Sequence, residues 1–482
     1  MSNNNIRVPK YVAIKNKLIE QIRNGTYLPG DAIPSDNVLM HNLNVSKSTI
    51  TQALKTLEAE GYIVRQQGKG SFVRDQSANQ IVLSLYLCPM EHGEQQFWDS
   101  LIAEFNESNS GFIVQPTFLS NDKAPLRDTL FQSFAGGNAP DIFSLDGPDV
   151  AYWAYMNSLL PFDDYMESSF LNSFLNPILE QGRFQGKLYH LGYTESTLCI
   201  LYNKDLFQSL NIRIPQHHTD AWDWNEFLQI CHLIQSKTSF KYPLLMDSGR
   251  GLSPKSGEWL SYSGLPFIIQ NGGQLFNADF TQTNGYINGP ASLEAMQWLG
   301  ELFYKYHYTH IGSHTELFPG NFAMSLSLPS AYFQGIKEND NIGIIPLPHG
   351  LKSATPHGSW GLCMSKQTKH PELCCQFIRY VFSFKNQLKI SKYTGFPVLK
   401  EIYEVMDNFN SISNHTNILF SQLKDSSFLR PQTPAYPFFS KQFAYAYYNI
   451  AMGSDTESEM NRLASLVDDH LYRHNYYKGQ EI

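Results

Sequence analysis

From residue 81 onward, short runs rich in β-branched and aromatic side chains alternate with longer stretches of helical period. Strand-like segments at 81–87 (Ile-Val-Leu-Ser-Leu-Tyr-Leu), 113–119, 141–145 and 197–202 are separated by helical ones at 94–108, 126–135 and 149–158. This rhythm is the strongest constraint in the chain, because strand, helix and strand in succession close a core when the helix crosses over and the strands run parallel. Further helical stretches at 224–235 and 291–306 and from His370, Lys441 and Thr456, with strand-like 341–345 and 361–365, carry the α/β pattern to the end. A chain of 482 residues makes several compact units of roughly 150 residues each. With 42% hydrophobic and 17% charged residues, disorder is excluded over most of its length.

The first 75 residues read differently. Tyr11, Ile14, Leu18 and Ile22 form one stripe of an amphipathic helix that Gly25 ends. A turn at Pro29-Gly30-Asp31 leads to Ile33-Pro34-Ser35, where Ser35 is placed to cap a short helix reaching about Leu43, with Asn44 as a left-handed stop. A third helix from Ser46 to about Glu60 turns Ile50, Leu54 and Leu57 inward and Lys47, Ser48, Thr51, Gln52 and Lys55 outward. Two short strands around Gly68-Lys69-Gly70 follow, a wing beside a helix-turn-helix. This segment holds ten Lys/Arg and six Asp/Glu, a net of +4, so the remaining residues carry −8 − 4 = −12. A polyanion is drawn to the first segment and repelled by the rest.

Pro29-Gly30, Ile33-Pro34-Ser35-Asp36, the run Val45-Ser46-Lys47-Ser48-Thr49-Ile50-Thr51-Gln52-Ala53-Leu54, Glu60-Gly61 and Gly68-Lys69-Gly70-Ser71-Phe72-Val73 together resemble the GntR-type winged-helix domain. The resemblance implies a DNA-binding surface of Ser35, Asn37, Ser46, Lys47, Ser48, Thr49, Thr51, Gln52, Lys69 and Gly70. Ser46, Lys47 and Thr49 suit phosphate, and Thr51 and Gln52 suit base edges. Asn37, Thr51 and Lys47 stand where the family often has arginine, so fewer bidentate guanine contacts are available and the operator should differ from guanine-containing family sites.

The second segment is similar to the extracellular solute-binding proteins of ABC transporters, in the group that binds sugars. The landmarks occur in order: Gly136-Gly137-Asn138-Ala139-Pro140-Asp141, Leu159-Leu160-Pro161-Phe162-Asp163-Asp164-Tyr165, Gly186-Lys187-Leu188-Tyr189, Leu201-Tyr202-Asn203-Lys204-Asp205-Leu206-Phe207, Trp222-Asp223-Trp224-Asn225-Glu226-Phe227 and Arg430-Pro431. The fold this implies is multidomain: an N-terminal winged helix-turn-helix at 1–75, a linker at 76–80, and an α/β two-lobe, type II periplasmic-binding-protein-like domain at 81–482. Its lobes are expected at about 81–202 with 346–395, and 203–345 with 396–482, crossing near Tyr202 and Ile345. Sugars present flat C–H faces and a hydroxyl rim, which call for aromatic rings beside carboxylates and guanidinium groups. The ligand candidates are Glu91, Asp146, Tyr193, Glu195, Ser196, Trp259, Ser330, Tyr332, Trp360 and Arg430, with Arg430 read more as a structural partner between the lobes than as a ligand anchor.

Six cysteines without a CxxC pair signal neither zinc nor a disulfide scaffold and read as small buried hydrophobes. His307, His310 and His314 have helical spacing, but Thr309 and Gly312 make a poor helix there, so no metal site is assigned. No apolar run of signal-peptide kind lies in 1–20 and no membrane span is found, so a cytoplasmic protein without a membrane partner is expected. The expected function is a ligand-responsive transcriptional regulator, read as a repressor, with operator DNA and a carbohydrate effector as partners, a homodimer on a palindromic site, no cofactor and no enzymatic activity. Two alternatives were weighed. A transporter component would need secretion or an anchor. A pyridoxal-phosphate enzyme of the GntR-aminotransferase kind would need a Schiff-base lysine, for which Ser440-Lys441 is only a superficial echo.

Overall fold

The computed structural model describes residues 10–23, 25–59, 61–66, 69–74, 80–89, 93–109, 111–119, 123–246, 253, 257–311, 322–335, 340–358, 360–394, 396–406 and 414–476. The chain divides into two compact units, Met1–Val82 with Asn109–Ile113, and Leu83–Ser108 with Val114–Ile482.

In the first unit three helices, Lys10–Arg23, Asp36–Leu43 and Lys47–Ala59, pack around Ile14, Leu18, Leu39, Ile50, Ala53, Leu54 and Leu57. The inward stripe of the third helix is the expected one, with Ile50 and Leu57 fully buried. Asn44 has φ 49° and ψ 53°, the left-handed stop that ends the second helix. Ser35 does occupy the residue before that helix and its carbonyl accepts the Leu39 N–H at 2.9 Å, but its side chain makes no capping bond among the described residues. The strands Ile63–Gln66 and Gly70–Val73 form an antiparallel hairpin, and Ala32–Ile33 adds a third strand to it. Gly70 has φ +114°, a conformation costly for a side chain, which is why the wing tip takes glycine.

The second unit holds two sheets. The first runs Phe112–Phe118, Ile81–Leu87, Ile142–Asp146, Trp360–Ser365 and Leu191–Gly192, with Leu159–Leu160 also on Trp360–Ser365. The second runs Leu244–Leu245, Met324–Ser327, Cys199–Asn203 and Ile342–Pro346. Around the first lie the helices Glu94–Ser108, Pro371–Val381 and Phe384–Thr394; the second lobe is built from Gly257–Gln270, Pro290–Tyr304, Tyr436–Ala451 and Thr456–His474, packed on one another. Each lobe has its own core, one around Phe143, Leu145 and Trp153 and the other around Trp222, Phe267, Phe443 and Tyr447. All six cysteines are free and buried. No described helix is long and apolar enough to cross a membrane.

Three features depart from the sequence expectation. Parallel pairing holds for Ile81–Leu87 with Ile142–Asp146 and for Leu244–Leu245 with Met324–Ser327, whereas Trp360–Ser365, Leu191–Gly192 and the neighbours of Cys199–Asn203 pair antiparallel. The crossings are also displaced. Cys199 to Tyr202 belong to the second sheet, so the chain leaves the first lobe within 193–198 rather than near Tyr202. On the return, Lys352 and Ala354 still bond to Gln270, and the first sheet is re-entered only at Trp360. Val398 and Lys400 bond to Leu175 and Ser173, so the first lobe extends past 395. Local periodicity marks a strand, but the sheet it joins is decided by pairing with distant residues. The helix expected from Lys441 begins at Tyr436. His307 has φ 54° beyond the helix ending at Tyr304, so the histidine triplet shares no helix face, and His314 lies outside the described residues.

Candidate functional site

In the first unit, Ser46 stands just before the third helix. Its hydroxyl lies 2.7 Å from the Thr49 hydroxyl and 3.0 Å from that of Ser48, and it accepts the Thr49 N–H at 3.4 Å. This satisfies one of the free N–H groups at a helix start and leaves a hydroxyl-rich edge. Ser35, Asn37, Ser46, Lys47, Ser48, Gln52, Lys69 and Gly70 are exposed, and Thr49 and Thr51 are half-buried. Behind that surface Arg65 reaches Asp36 at 3.4 Å, and its backbone N–H bonds to Glu58 at 3.1 Å, fixing the wing against two helices. The outward face of Lys47–Ala59 is thus a short polar strip held on a rigid core, as phosphate and base contacts require.

In the second unit the lobes meet on a buried charge cluster. Asp146 ends a strand of the first sheet, Glu258 and Trp259 open the helix Gly257–Gln270 of the second lobe, and Arg430 follows the short strand Ser427–Phe428. Both terminal nitrogens of Arg430 bond to Asp146, Nη2 to Oδ1 at 2.6 Å and Nη1 to Oδ2 at 2.9 Å. Nη1 also bonds to Glu258, and Nε donates to the His357 carbonyl at 3.1 Å. The guanidinium lies 5.1 Å from the Tyr262 ring centre, and Tyr436 donates to Glu258 at 2.7 Å. Burial alone would lower the Arg430 pKa, but Asp146 and Glu258 hold it well above the usual arginine value, so it stays charged. Burial and Glu258 push the Tyr436 hydroxyl up, so it remains a donor.

Around this centre the crossing segments add further groups. Glu195 accepts N–H groups of Ser196 and Gly358, both at 2.8 Å, and its second oxygen lies 3.3 Å from His357 Nδ1. Glycine is required at Gly358, since a Cβ there would sit 2.5 Å from the Tyr262 hydroxyl. Tyr193 donates its hydroxyl to Glu94 at 3.2 Å and its N–H to the Trp360 carbonyl at 2.9 Å, and Trp360 pairs opposite Asp146. Trp259 stacks near Tyr262 at 6.2 Å, with its indole N–H buried and without a hydrogen-bond partner among the described residues. Arg127 binds Asp149 at 2.6 Å, and its charge is reinforced by Glu258 and Tyr436 as well, against the lowering effect of burial.

The structure therefore gathers Asp146, Tyr193, Glu195, Ser196, Trp259, Trp360 and Arg430. Tyr332 is elsewhere, in an apolar core with Cys199, Leu201, Ile342, Ile344 and Phe396, and Ser330 is buried on the same helix, Pro329–Gly335. The aromatic ring expected at the ligand is packed against the back of the second sheet instead. Glu91 lies outside the described residues. Glu258, Tyr262, Tyr436, His357 and Arg127 were missed. Only Glu258 had a cue, as the neighbour of Trp259. Lys441 is exposed on its helix. No cluster of three or more His, Cys, Asp or Glu able to hold a metal is found among the described residues.

Comparison with known proteins matches this architecture. The family described as "Bacterial extracellular solute-binding protein" covers residues 100–414. The chain belongs to this family. Residues 10–73 match "Bacterial regulatory proteins, gntR family", so the winged-helix unit is a GntR domain. Among curated relatives, the regulator YurK of Bacillus subtilis is 40% identical over 74 residues, 15% of this chain and 31% of the relative. The probable fructoselysine utilization operon transcriptional repressor of Escherichia coli is 37% identical over 75 residues, 16% and 31% respectively. The chain thus spans about a third of the length of these relatives. The second unit shares its type II fold with sugar-binding proteins of known structure. A solute-binding protein of Thermotoga lettingae bound with α-D-tagatose superposes with TM-score 0.69 at 18% identity, covering 81% of this chain and 100% of that one. Maltose-bound MalE3 of T. maritima gives 0.69 at 17% identity over 81% and 100%.

Proposed function

We propose that this family member is a cytoplasmic transcriptional regulator, a repressor, that binds operator DNA through the helix Lys47–Ala59 and takes a sugar or oligosaccharide between its two lobes without changing it chemically. One observation carries the reading: a single chain joins a GntR domain with an exposed Ser-Lys-Thr-Gln edge to a two-lobe unit whose lobes meet on Asp146, Glu258 and Arg430 flanked by Trp259, Tyr262 and Trp360. Carboxylates and a guanidinium beside flat rings are the groups that hydroxyls and C–H faces of a sugar engage. The solved proteins of this fold hold tagatose and maltose, and the curated GntR relatives include a repressor. The chain acts as a homodimer, since a palindromic operator mirrors two-fold symmetry.

Because both activities sit on one chain, any factor by which the sugar changes operator affinity must be returned by the operator on sugar affinity. The test is a thermal-shift screen with tagatose, maltose, mannobiose and longer neutral oligosaccharides, followed by operator titrations with and without any sugar that raises the melting point. A stabilising sugar whose affinity moves with operator is the expected result. A full panel without a shift removes the sugar, and turnover of a bound sugar removes the reading as a binding protein. Equal sugar affinity with and without operator removes the regulation.

A further inference from the structure

Helix Asn414–Ser426 is fixed to the second lobe: it packs on the strand Ile342–Pro346, Ser421 bonds to His218 at 3.0 Å, and Asp425 lies 3.6 Å from the same imidazole. From this helix one side chain, Gln422, enters the space between the two crossing segments and is 2% exposed. Its amide nitrogen donates to Thr197 Oγ1 at 3.0 Å and to the Leu198 carbonyl at 2.8 Å, and its oxygen accepts the Leu347 N–H at 2.7 Å. Thr197 and Thr355 share a hydroxyl hydrogen bond of 2.6 Å, and the Leu198 N–H donates to Thr355 Oγ1 at 3.2 Å. Two direct bonds, and three more that meet on Gln422, therefore link residues 197 and 198 of the outgoing crossing to residues 347 and 355 of the returning one. Both threonines are fully buried, so none of these groups can turn to water when a partner is lost.

We propose that Gln422 is the positioning residue of the hinge, setting the angle between the lobes by holding the second-lobe ends of both crossings. The proposal rests on the reading that the lobes close on a ligand. Both N–H groups of the amide are used, and its oxygen takes a third bond, so neither crossing can rotate at Thr197, Leu198 or Leu347 without breaking one. On these two crossings rotation is left to 193–196 and to 357–358, since Thr355 and Pro356 are paired with Ser427 and Phe428. Those residues carry Glu195, Ser196, His357 and Gly358, the groups bonded around the charge cluster. Hinge motion is thereby confined to the residues that face the ligand, which is how contact there becomes lobe movement.

The test needs no ligand. The six native cysteines are buried, so Gln376→Cys on the first lobe and Ser465→Cys on the second, both exposed, take spin labels selectively. Distances between the labels are measured by pulsed electron resonance in the full chain. The parent is expected to give one narrow distribution, Gln422→Leu and Thr355→Val to lose that single peak, and Thr355→Ser, which keeps the hydroxyl, to retain it. A residue serving stability alone would lower the urea midpoint and leave the distances unmoved, and that result in Gln422→Leu and Thr355→Val overturns the proposal. If Gln422→Leu does not fold, the Thr355 pair decides. Failure to find a binding sugar leaves this measurement intact.

Discussion

Replacing Arg430 with methionine is the sharpest perturbation of the interlobe cluster. Methionine keeps an unbranched stem of similar reach but removes the charge and five donors. Arg430 is 2% exposed and serves Asp146, Glu258 and the His357 carbonyl at once, so its loss leaves two carboxylates without their counter-charge. Each charge pair is worth about 4 kcal/mol at 4 Å for an effective dielectric of about 20, offset by what burial of the ions already costs. Breaking a buried pair from one side costs about 3–5 kcal/mol, and at about 2 °C per kcal/mol for a large unit the melting point should fall by roughly 6–10 °C.

The sequence itself supplies the assay. All 7 tryptophans, from Trp98 to Trp360, lie outside the GntR domain, so tryptophan fluorescence in urea follows the solute-binding unit alone. The loss should not be additive with that of Asp146→Asn, because the two residues share two hydrogen bonds; a coupling of about 1–3 kcal/mol is expected in the cycle of Arg430→Met and Asp146→Asn. If each variant costs under about 1 kcal/mol and the double variant is the simple sum, the cluster does not hold the lobes together and the reasoning fails.

Three further outcomes are expected. Lys47→Ala should weaken DNA binding on every sequence and reduce the slope of log affinity against log salt by about 0.9, whereas Gln52→Ala should alter sequence preference with the slope unchanged; titrations at several salt concentrations separate the two. Burial holds His190 down at about 4 although its Nε2 lies 3.2 Å from the Leu145 carbonyl, an acceptor that favours the protonated ring, so the folded unit keeps it neutral while the unfolded chain protonates near pH 6.5. Its contribution is therefore complete above about pH 6.5 and lost as pH falls toward 4, about 3 kcal/mol in all, and urea midpoints across that range should fall less steeply in His190→Gln. Burial also pushes the thiols of Cys374 and Cys375 up to about 12 and about 11, and an aromatic disulfide reagent should find no fast-reacting thiol until the chain is unfolded.

What could be read from the sequence divides along a physical line. The GntR domain was legible almost residue by residue, because its determinants are local: an apolar stripe at helical period, a left-handed Asn44, and a wing tip that needs Gly70. The two-lobe fold was legible from ordered landmarks, but the sheet joined by Cys199–Asn203 was not, since that depends on pairing with Met324–Ser327 and Ile342–Pro346 more than a hundred residues away. Tyr332 shows the same limit from the other side: an aromatic residue fills a core or faces a ligand with the same chemistry, and only its neighbours distinguish the two. Arg430 could be singled out, but its partners Asp146 and Glu258 lie 284 and 172 positions away, a separation over which no periodicity survives. Gln422 is the extreme case, a polar residue on an amphipathic helix whose surroundings in sequence give no sign that its amide closes three bonds from two crossings. Chemistry that a segment performs on itself is written in that segment, whereas a hinge and an interlobe charge cluster exist only after distant segments meet. The residues on which the proposed coupling rests are therefore the ones that folding had to reveal.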